Sequence, residues 1–137
     1  MYEKYPIVLA LAAFIFDSKK NILIVKKSSK EQVDPGLWVV PGGKVYPHEP
    51  ILEALVREIK EEVGLEIASH TWIGEDVFVA SKRYFHAQHF LCTVKKTEPV
   101  ILENKLTDYA WMHIDDIEQY TFPFNLKKRM LNIYKYK

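Results

Sequence analysis

Apolar runs separated by polar clusters divide most of the chain into predicted strands. Runs of this kind, bounded by turn-forming residues such as Asp34-Pro35-Gly36, are typical of β-structure. The glycines of Pro41-Gly42-Gly43 allow a tight turn with close approach of a ligand. The predicted strands are residues 7–16, 22–26, 37–40, 66–80, 84–95 and 108–114, with 44–46 as an extension after that turn.

Two segments instead have the spacing of a helix. The first begins after Glu49, with Pro50 suited to the first helical position and Gly64 to the end. At about 100° per residue, five apolar side chains form one stripe on it, which predicts the core-facing side. The second predicted helix is 125–136. The apolar stripe on the first helix consists of Leu52, Leu55, Val56, Ile59 and Val63.

The order of strands, helix, strands and helix favours an α+β fold, an α/β/α sandwich with a mixed sheet between helices. A chain of 137 residues suits one domain, covering 1–137. The net charge of +1 argues against a surface that coats nucleic acid. The apolar run 7–16 is too short to span a bilayer. The single cysteine, Cys92, is predicted to be buried, and with no partner for a disulfide it favours a reducing, cytoplasmic location.

The first predicted helix also has an acidic arc that works against its stability. Glu58 and Glu62 form a like-charged pair four residues apart, which costs about 0.2–0.5 kcal/mol. Glu61 and Glu62 lie in the last turn, where the helix dipole favours positive charge. Clustered carboxylates at this end suit a hard divalent cation such as Mg²⁺ or Mn²⁺.

The spacing around this helix resembles the signature of the Nudix hydrolase family. The family pattern is G-x5-E-x7-R-E-U-x-E-E-x-G-U, with U a bulky aliphatic residue, and residues 43–65 fill every fixed position. The matching residues are Gly43, Glu49, Arg57, Glu58, Ile59, Glu61, Glu62, Gly64 and Leu65. The resemblance implies the Nudix-type α/β/α sandwich, and hydrolysis of a nucleoside diphosphate linked to another group.

The resemblance also implies roles for the acids. Glu61 and Glu62 would be Mg²⁺ or Mn²⁺ ligands, with Glu58 joining them directly or through water. The Gly43 carbonyl and Glu49 would be further ligands. Arg57 would orient Glu58 or Glu49 through a forked hydrogen bond.

The general base is left open by the sequence. Relatives often carry a glutamate about six residues before the strand tryptophan, which is Trp111 here, and Lys105 occupies that position. Either Glu58 or Glu61 activates the water, or nearby Glu103 does. A solvated loop lysine is the simpler interpretation of Lys105.

The preferred substrate is a (deoxy)nucleoside triphosphate, cut to a monophosphate and pyrophosphate, because 37–44 and 108–120 resemble small bacterial triphosphate pyrophosphohydrolases. The alternatives are a nucleotide-sugar or dinucleoside polyphosphate hydrolase and a catalytically silent nucleotide sensor. We expect a small-molecule nucleotide as the partner, with no nucleic acid and no membrane, and a homodimer, which is common in the family. Candidate substrate contacts are Lys44, Phe78, Tyr84 and His86.

Overall fold

In residues 4–135, which this computed structural model describes, seven strands and two α-helices follow one another in the predicted order. The helices are α1 (Ile51–Val63) and α2 (Leu126–Lys135), with a short 3₁₀ helix at Ile114–Gln119 between β7 and α2. The predicted helix end at residue 136 and the chain ends of the predicted domain lie outside the described residues. The strands are β1 (Ile7–Ile15), β2 (Ile22–Lys27), β3 (Trp38–Val39), β4 (Gly42–Lys44), β5 (Ile67–Ala80), β6 (Arg83–Val94) and β7 (Leu106–Met112).

The strands form two sheets rather than the single mixed sheet that was predicted. A four-stranded sheet has the order β4-β1-β6-β5, in which β1 runs parallel to β6 and antiparallel to β4. A three-stranded antiparallel sheet has the order β3-β2-β7. The first sheet is therefore mixed, as expected, and the α+β class is confirmed.

Alternate residues of the central strands face two separate cores. On β1, Leu11, Ala13 and Ile15 join the core that packs against α1, whereas Phe14 joins the core that includes Met130 of α2. Strand β2 alternates in the same way. Because successive side chains of a strand point to opposite faces, both strands lie between the two helices. The layers are thus helix, strands and helix.

Helix α1 is rotated relative to the expected orientation. Leu52 and Val56 were predicted to face the core, but they are 44% and 49% exposed. In their place Glu58 and Glu62 turn inward and are 7% and 3% exposed. The side of the helix next to Leu55 that faces the protein is therefore partly acidic, and the prediction for Leu52 and Val56 was wrong.

The ends of α1 are close to those expected. Pro50 precedes the helix as its N-cap, with extended backbone angles, rather than occupying the first helical position. Gly64 ends the helix in the left-handed conformation, at φ 73°, and donates its N–H to the Lys60 carbonyl. Neither α1 nor any other helix in residues 4–135 is long and apolar enough to cross a membrane.

Candidate active site

Close contact between β4 and α1 brings the acids to the sheet edge. A Cβ atom on Gly43 would lie 2.3 Å from Glu58 Oε2, and one on Gly42 would lie 2.1 Å from the Leu11 carbonyl oxygen. A larger residue at position 42 would press on the backbone of strand β1, and one at position 43 would displace the Glu58 carboxylate. Gly43 therefore allows the Glu58 carboxylate to lie directly against the β4 backbone, and Gly42 allows β4 to lie directly against β1.

Arg57 connects three of the acids. Its Nε and Nη2 donate to the two carboxylate oxygens of Glu49 at 2.6 and 2.8 Å, which is the forked arrangement. Its Nη1 donates to Glu58 Oε1 at 3.0 Å and to Glu61 Oε2 at 3.1 Å. The guanidinium also lies 3.8 Å from the centre of the Tyr46 ring, a cation–π contact. Glu58 and Glu61 consequently converge on one cationic nitrogen.

Glu62 is held by different donors. The Gly42 N–H donates to its Oε1 at 3.0 Å, and Lys105 Nζ lies 2.8 Å from its Oε2. The side chain of Glu62 is 4% exposed and that of Lys105 is 35% exposed. A carboxylate buried this deeply needs such partners, because an unpaired buried charge is strongly destabilising.

Burial and the paired cations act on the pKa values of these groups in opposite directions. Burial raises the pKa of both Glu58 and Glu62 above the ordinary value, although Arg57 and Lys105 oppose the shift. The forked hydrogen bond from Arg57 lowers the pKa of Glu49. Burial lowers the pKa of Lys105, but the attraction of Glu62 outweighs it together with smaller contributions, and the net shift is upward. The glutamates and the two cations Arg57 and Lys105 thus lie within ion-pair distance of one another.

The acids form one end of a cleft with a volume of about 1010 Å³. Glu58, Glu61 and Glu62 line this end together with Gly43. Farther along the four-stranded sheet, the rings of Phe78 and Phe85 are stacked 5.2 Å apart with an angle of 5° between their planes. The cleft therefore joins an acidic end to an aromatic surface.

The structure places two of the four predicted substrate contacts in the cleft. Lys44 and Phe78 line it. Tyr84 and His86 lie on the opposite face of β6, because Phe85 points into the cleft and neighbouring residues of a strand alternate. The ring of Tyr84 packs 5.5 Å from that of Tyr5. The geometry does not bring Tyr84 and His86 to the acids.

Glu103 lies at the acidic end, on the segment between β6 and β7. Its backbone N–H donates to the Glu62 carbonyl at 2.9 Å, and its exposed side chain lines the cleft. The Ile101 N–H similarly donates to the Val63 carbonyl at 2.9 Å. The last turn of α1 therefore fixes the position of the segment that carries Glu103 and Lys105.

Sequence reasoning missed two residues of the cleft. The predicted solvated Lys105 is instead paired with Glu62, and nothing in the local sequence links these positions. Phe85 was passed over in favour of its neighbours Tyr84 and His86. Phe85 pairs with Phe78 across the antiparallel strands and therefore shares its face, but this register is known only from the structure.

The donors fit a hard divalent cation in their chemistry. All are oxygen atoms of carboxylates or of the Gly43 carbonyl, which Mg²⁺ and Mn²⁺ prefer. The geometry is not closed, however: in residues 4–135 no three His, Cys, Asp or Glu side chains are already gathered as a metal site. Arg57 and Lys105 hold the acids in this state, with Arg57 Nη1 between Glu58 and Glu61 and Lys105 Nζ beside Glu62. Glu58, Glu61 and Glu62 are the residues that would hold such a cation.

Known proteins share both the sequence and the fold. The model of the NUDIX domain matches residues 6–135. An 8-oxo-dGTP diphosphatase of Buchnera aphidicola (subsp. Schizaphis graminum) is 34% identical over 109 residues, covering 77% of this chain and 78% of the relative. The nucleoside triphosphatase NudI of Klebsiella pneumoniae is 32% identical over 117 residues, covering 77% and 82%.

The fold similarity extends over almost the whole chain. A crystal structure of a MutT protein from Methanosarcina mazei superposes with a TM-score of 0.84 at 24% identity, covering 97% of this chain and 96% of that one. Together with the acids held by Arg57 at the edge of the cleft, these similarities define the protein's family. The chain belongs to the NUDIX family and is a MutT-like Nudix pyrophosphohydrolase.

Proposed function

We propose that this enzyme hydrolyses a (deoxy)nucleoside triphosphate to the monophosphate and pyrophosphate, with Mg²⁺ held by Glu58, Glu61 and Glu62. One observation carries the proposal: a single cleft has these three acids at one end and the stacked Phe78–Phe85 pair farther along. This arrangement suits a ligand with polyphosphate at one end and a base at the other.

In this proposal, different residues in and beside the cleft have different roles in the reaction. A bound Mg²⁺ or Mn²⁺ neutralises charge on the phosphates. Arg57 keeps Glu58 and Glu61 in position, and exposed Lys44 attracts the anionic substrate. Phe78 stacks on the base. Water attacks a phosphorus atom, its proton passes to a carboxylate, and the bond to the departing pyrophosphate breaks.

The proton acceptor lies among three acids of the cleft. Glu58 and Glu61 belong to α1, and Glu103 belongs to the segment after β6. Lys105, which occupies the position where relatives often carry a glutamate, is paired with Glu62 and has no capacity to accept a proton while charged. We therefore assign the base to one of these carboxylates and not to position 105.

The relatives support a triphosphate over a nucleotide sugar. Both the Buchnera and the Klebsiella proteins are named for action on nucleoside triphosphates, and each alignment covers more than three quarters of this chain. The first name specifies an oxidised guanine nucleotide, whereas the second specifies no base. We propose that the aromatic part of the cleft, where Phe78 and Phe85 lie, selects the nucleobase.

The test is a panel of canonical and oxidised nucleoside triphosphates, nucleotide sugars and dinucleoside polyphosphates, assayed with Mg²⁺ and with EDTA. We expect monophosphate and pyrophosphate in equal amounts from at least one triphosphate, and no product in EDTA. Turnover confined to nucleotide sugars or dinucleoside polyphosphates would overturn the substrate class. Binding of nucleotides without any turnover would instead indicate a sensor.

A further inference from the structure

Lys105 lies at the acidic end of the cleft, at a position where its charge opposes the cation that the site is proposed to bind. Its Nζ lies 2.8 Å from Glu62 Oε2, while the Gly42 N–H already donates to the other oxygen, Oε1, at 3.0 Å. Both oxygens of this buried carboxylate therefore have a donor within the chain itself. A divalent cation binding at Oε2 has to compete with the ammonium group.

The position of Lys105 is fixed by its backbone on both sides. Its carbonyl accepts the Ser28 N–H at 2.9 Å, and two residues earlier the Glu103 N–H donates to the Glu62 carbonyl at 2.9 Å. Its side chain is only 35% exposed, so the ammonium group is not a freely solvated one. The packing of the segment before β7 against α1 therefore holds Lys105 next to Glu62.

We propose that Lys105 is a positioning residue that acts as a resident counter-ion of Glu62. It holds the buried carboxylate in the cleft when no divalent cation is bound, and its charge weakens the binding of the cation that displaces it. The inference rests on the proposed metal site. Two results are therefore expected when the charge of Lys105 is removed: the stability of the metal-free protein decreases, and its affinity for the cation increases.

The test uses the purified full chain, Mn²⁺ alone as the probe, and no nucleotide. Lys105→Gln removes the charge and keeps a hydrogen-bond donor. In EDTA we expect its Tm to fall by several degrees, because the buried Glu62 loses its counter-charge. Titration with Mn²⁺, followed by the paramagnetic signal of the free ion, should give a Kd about tenfold lower than that of the wild type.

Two further variants make the test specific. Lys105→Arg keeps the positive charge and should bind Mn²⁺ as weakly as the wild type. Lys60→Met removes a lysine from the same end of α1, where Nζ lies 3.8 Å from the exposed Glu66, and should change neither Tm nor Kd appreciably. If Lys105→Arg behaved like Lys105→Gln, the shape of the side chain rather than its charge would matter, and the inference would fail.

The outcomes separate this inference from the proposed function. Mn²⁺ binding of equal strength in the wild type and Lys105→Gln would overturn the counter-ion role while leaving the metal site in place. A lower Tm without tighter binding would reduce Lys105 to a structural residue and would also overturn it. Absence of Mn²⁺ binding in every variant would contradict the proposed function, and the inference would fall with it.

Discussion

Two cationic side chains, Arg57 and Lys105, pair with the four glutamates gathered at and beside the acidic end of the cleft. Glu49 takes the fork of Arg57, Glu58 and Glu61 share its remaining nitrogen, and Glu62 is paired with Lys105. Because an uncompensated buried carboxylate is costly, these contacts explain how the fold tolerates Glu58 and Glu62 beside the core. A cation bound by these acids, as proposed, would have to compete with the donors that hold them.

A buried histidine, His89, is also among the residues that line the cleft. His89 on β6 is 4% exposed, its ring lies 5.2 Å from that of Phe14, and burial lowers its pKa. The folded protein therefore keeps His89 neutral at pH values where the unfolded chain, with the ordinary value of 6.5, binds a proton. Its contribution to stability is complete above pH 6.5 and is lost as the pH falls through the lower, folded-state pKa.

The measurement is urea unfolding of the wild type and of His89→Gln between pH 7.5 and 5. We expect the free energy of unfolding of the wild type to fall more steeply below pH 6.5 than that of the variant, which has no histidine to protonate at this position. Parallel pH profiles would show that His89 binds its proton equally well in the folded and unfolded protein.

Individual contacts could be predicted from the sequence only where the partners are close in the chain. The resemblance implied a forked hydrogen bond from Arg57 to Glu58 or Glu49, and the structure contains the fork to Glu49. The pairing of Lys105 with Glu62 depends on how the segment before β7 crosses the end of α1, which no local pattern encodes. For the same reason the choice between Tyr84 and Phe85 required the sheet register.

At the scale of elements, the inward rotation of α1 is the main departure from the predicted fold. The apolar stripe alone placed Leu52 and Val56 in the core, because helical periodicity ranks faces by hydrophobicity. In the structure Glu58 and Glu62 face inward instead. Gly43 leaves room for the Glu58 carboxylate, Arg57 donates to Glu58, and the Gly42 N–H donates to Glu62. Two buried glutamates thus take places on α1 that helical periodicity assigns to apolar residues.

This rotation is tested by a pair of neighbouring substitutions on α1. Leu55 is fully buried, so Leu55→Ala should lower the free energy of unfolding by about 2–5 kcal/mol. Val56 is 49% exposed, so Val56→Ala should change it by less than about 0.5 kcal/mol. Denaturant unfolding of both variants measures the difference. Comparable losses at the two positions would contradict the observed orientation of the helix.

The order and type of the elements were predictable because their signals are local. Polar turn clusters bound β1 and β2, and Gly64 ends α1 in the left-handed conformation that glycine favours. The β5–β6 turn falls within the expected connection at 81–83 but is one residue shorter, with Ser81 and Lys82 both at positive φ and Arg83 already in β6. The division of the strands into two sheets was not predictable, since it depends on pairings between distant segments.

At the scale of the whole molecule, the fold brings two different chemical surfaces into one cleft. Helix α1 supplies the acids at the edge of the four-stranded sheet, and β5 with β6 supplies Phe78 and Phe85. Neither surface alone defines a pyrophosphohydrolase, because acids bind cations and aromatic rings stack on many ligands. Their placement in one cavity is what supports a nucleoside triphosphate as the substrate.

The measurement that tests this account most directly is the Mg²⁺-dependent rate of pyrophosphate release by Glu61→Gln, compared with Glu53→Gln as the matched control. Both substitutions remove one exposed carboxylate from α1, but only Glu61 lines the cleft. With the best triphosphate of the panel, we expect Glu61→Gln to lose at least about 10²-fold in kcat with its fold intact, and Glu53→Gln to retain the wild-type rate. Equal rates in the two variants would contradict the assignment of the acidic end of the cleft as the active site.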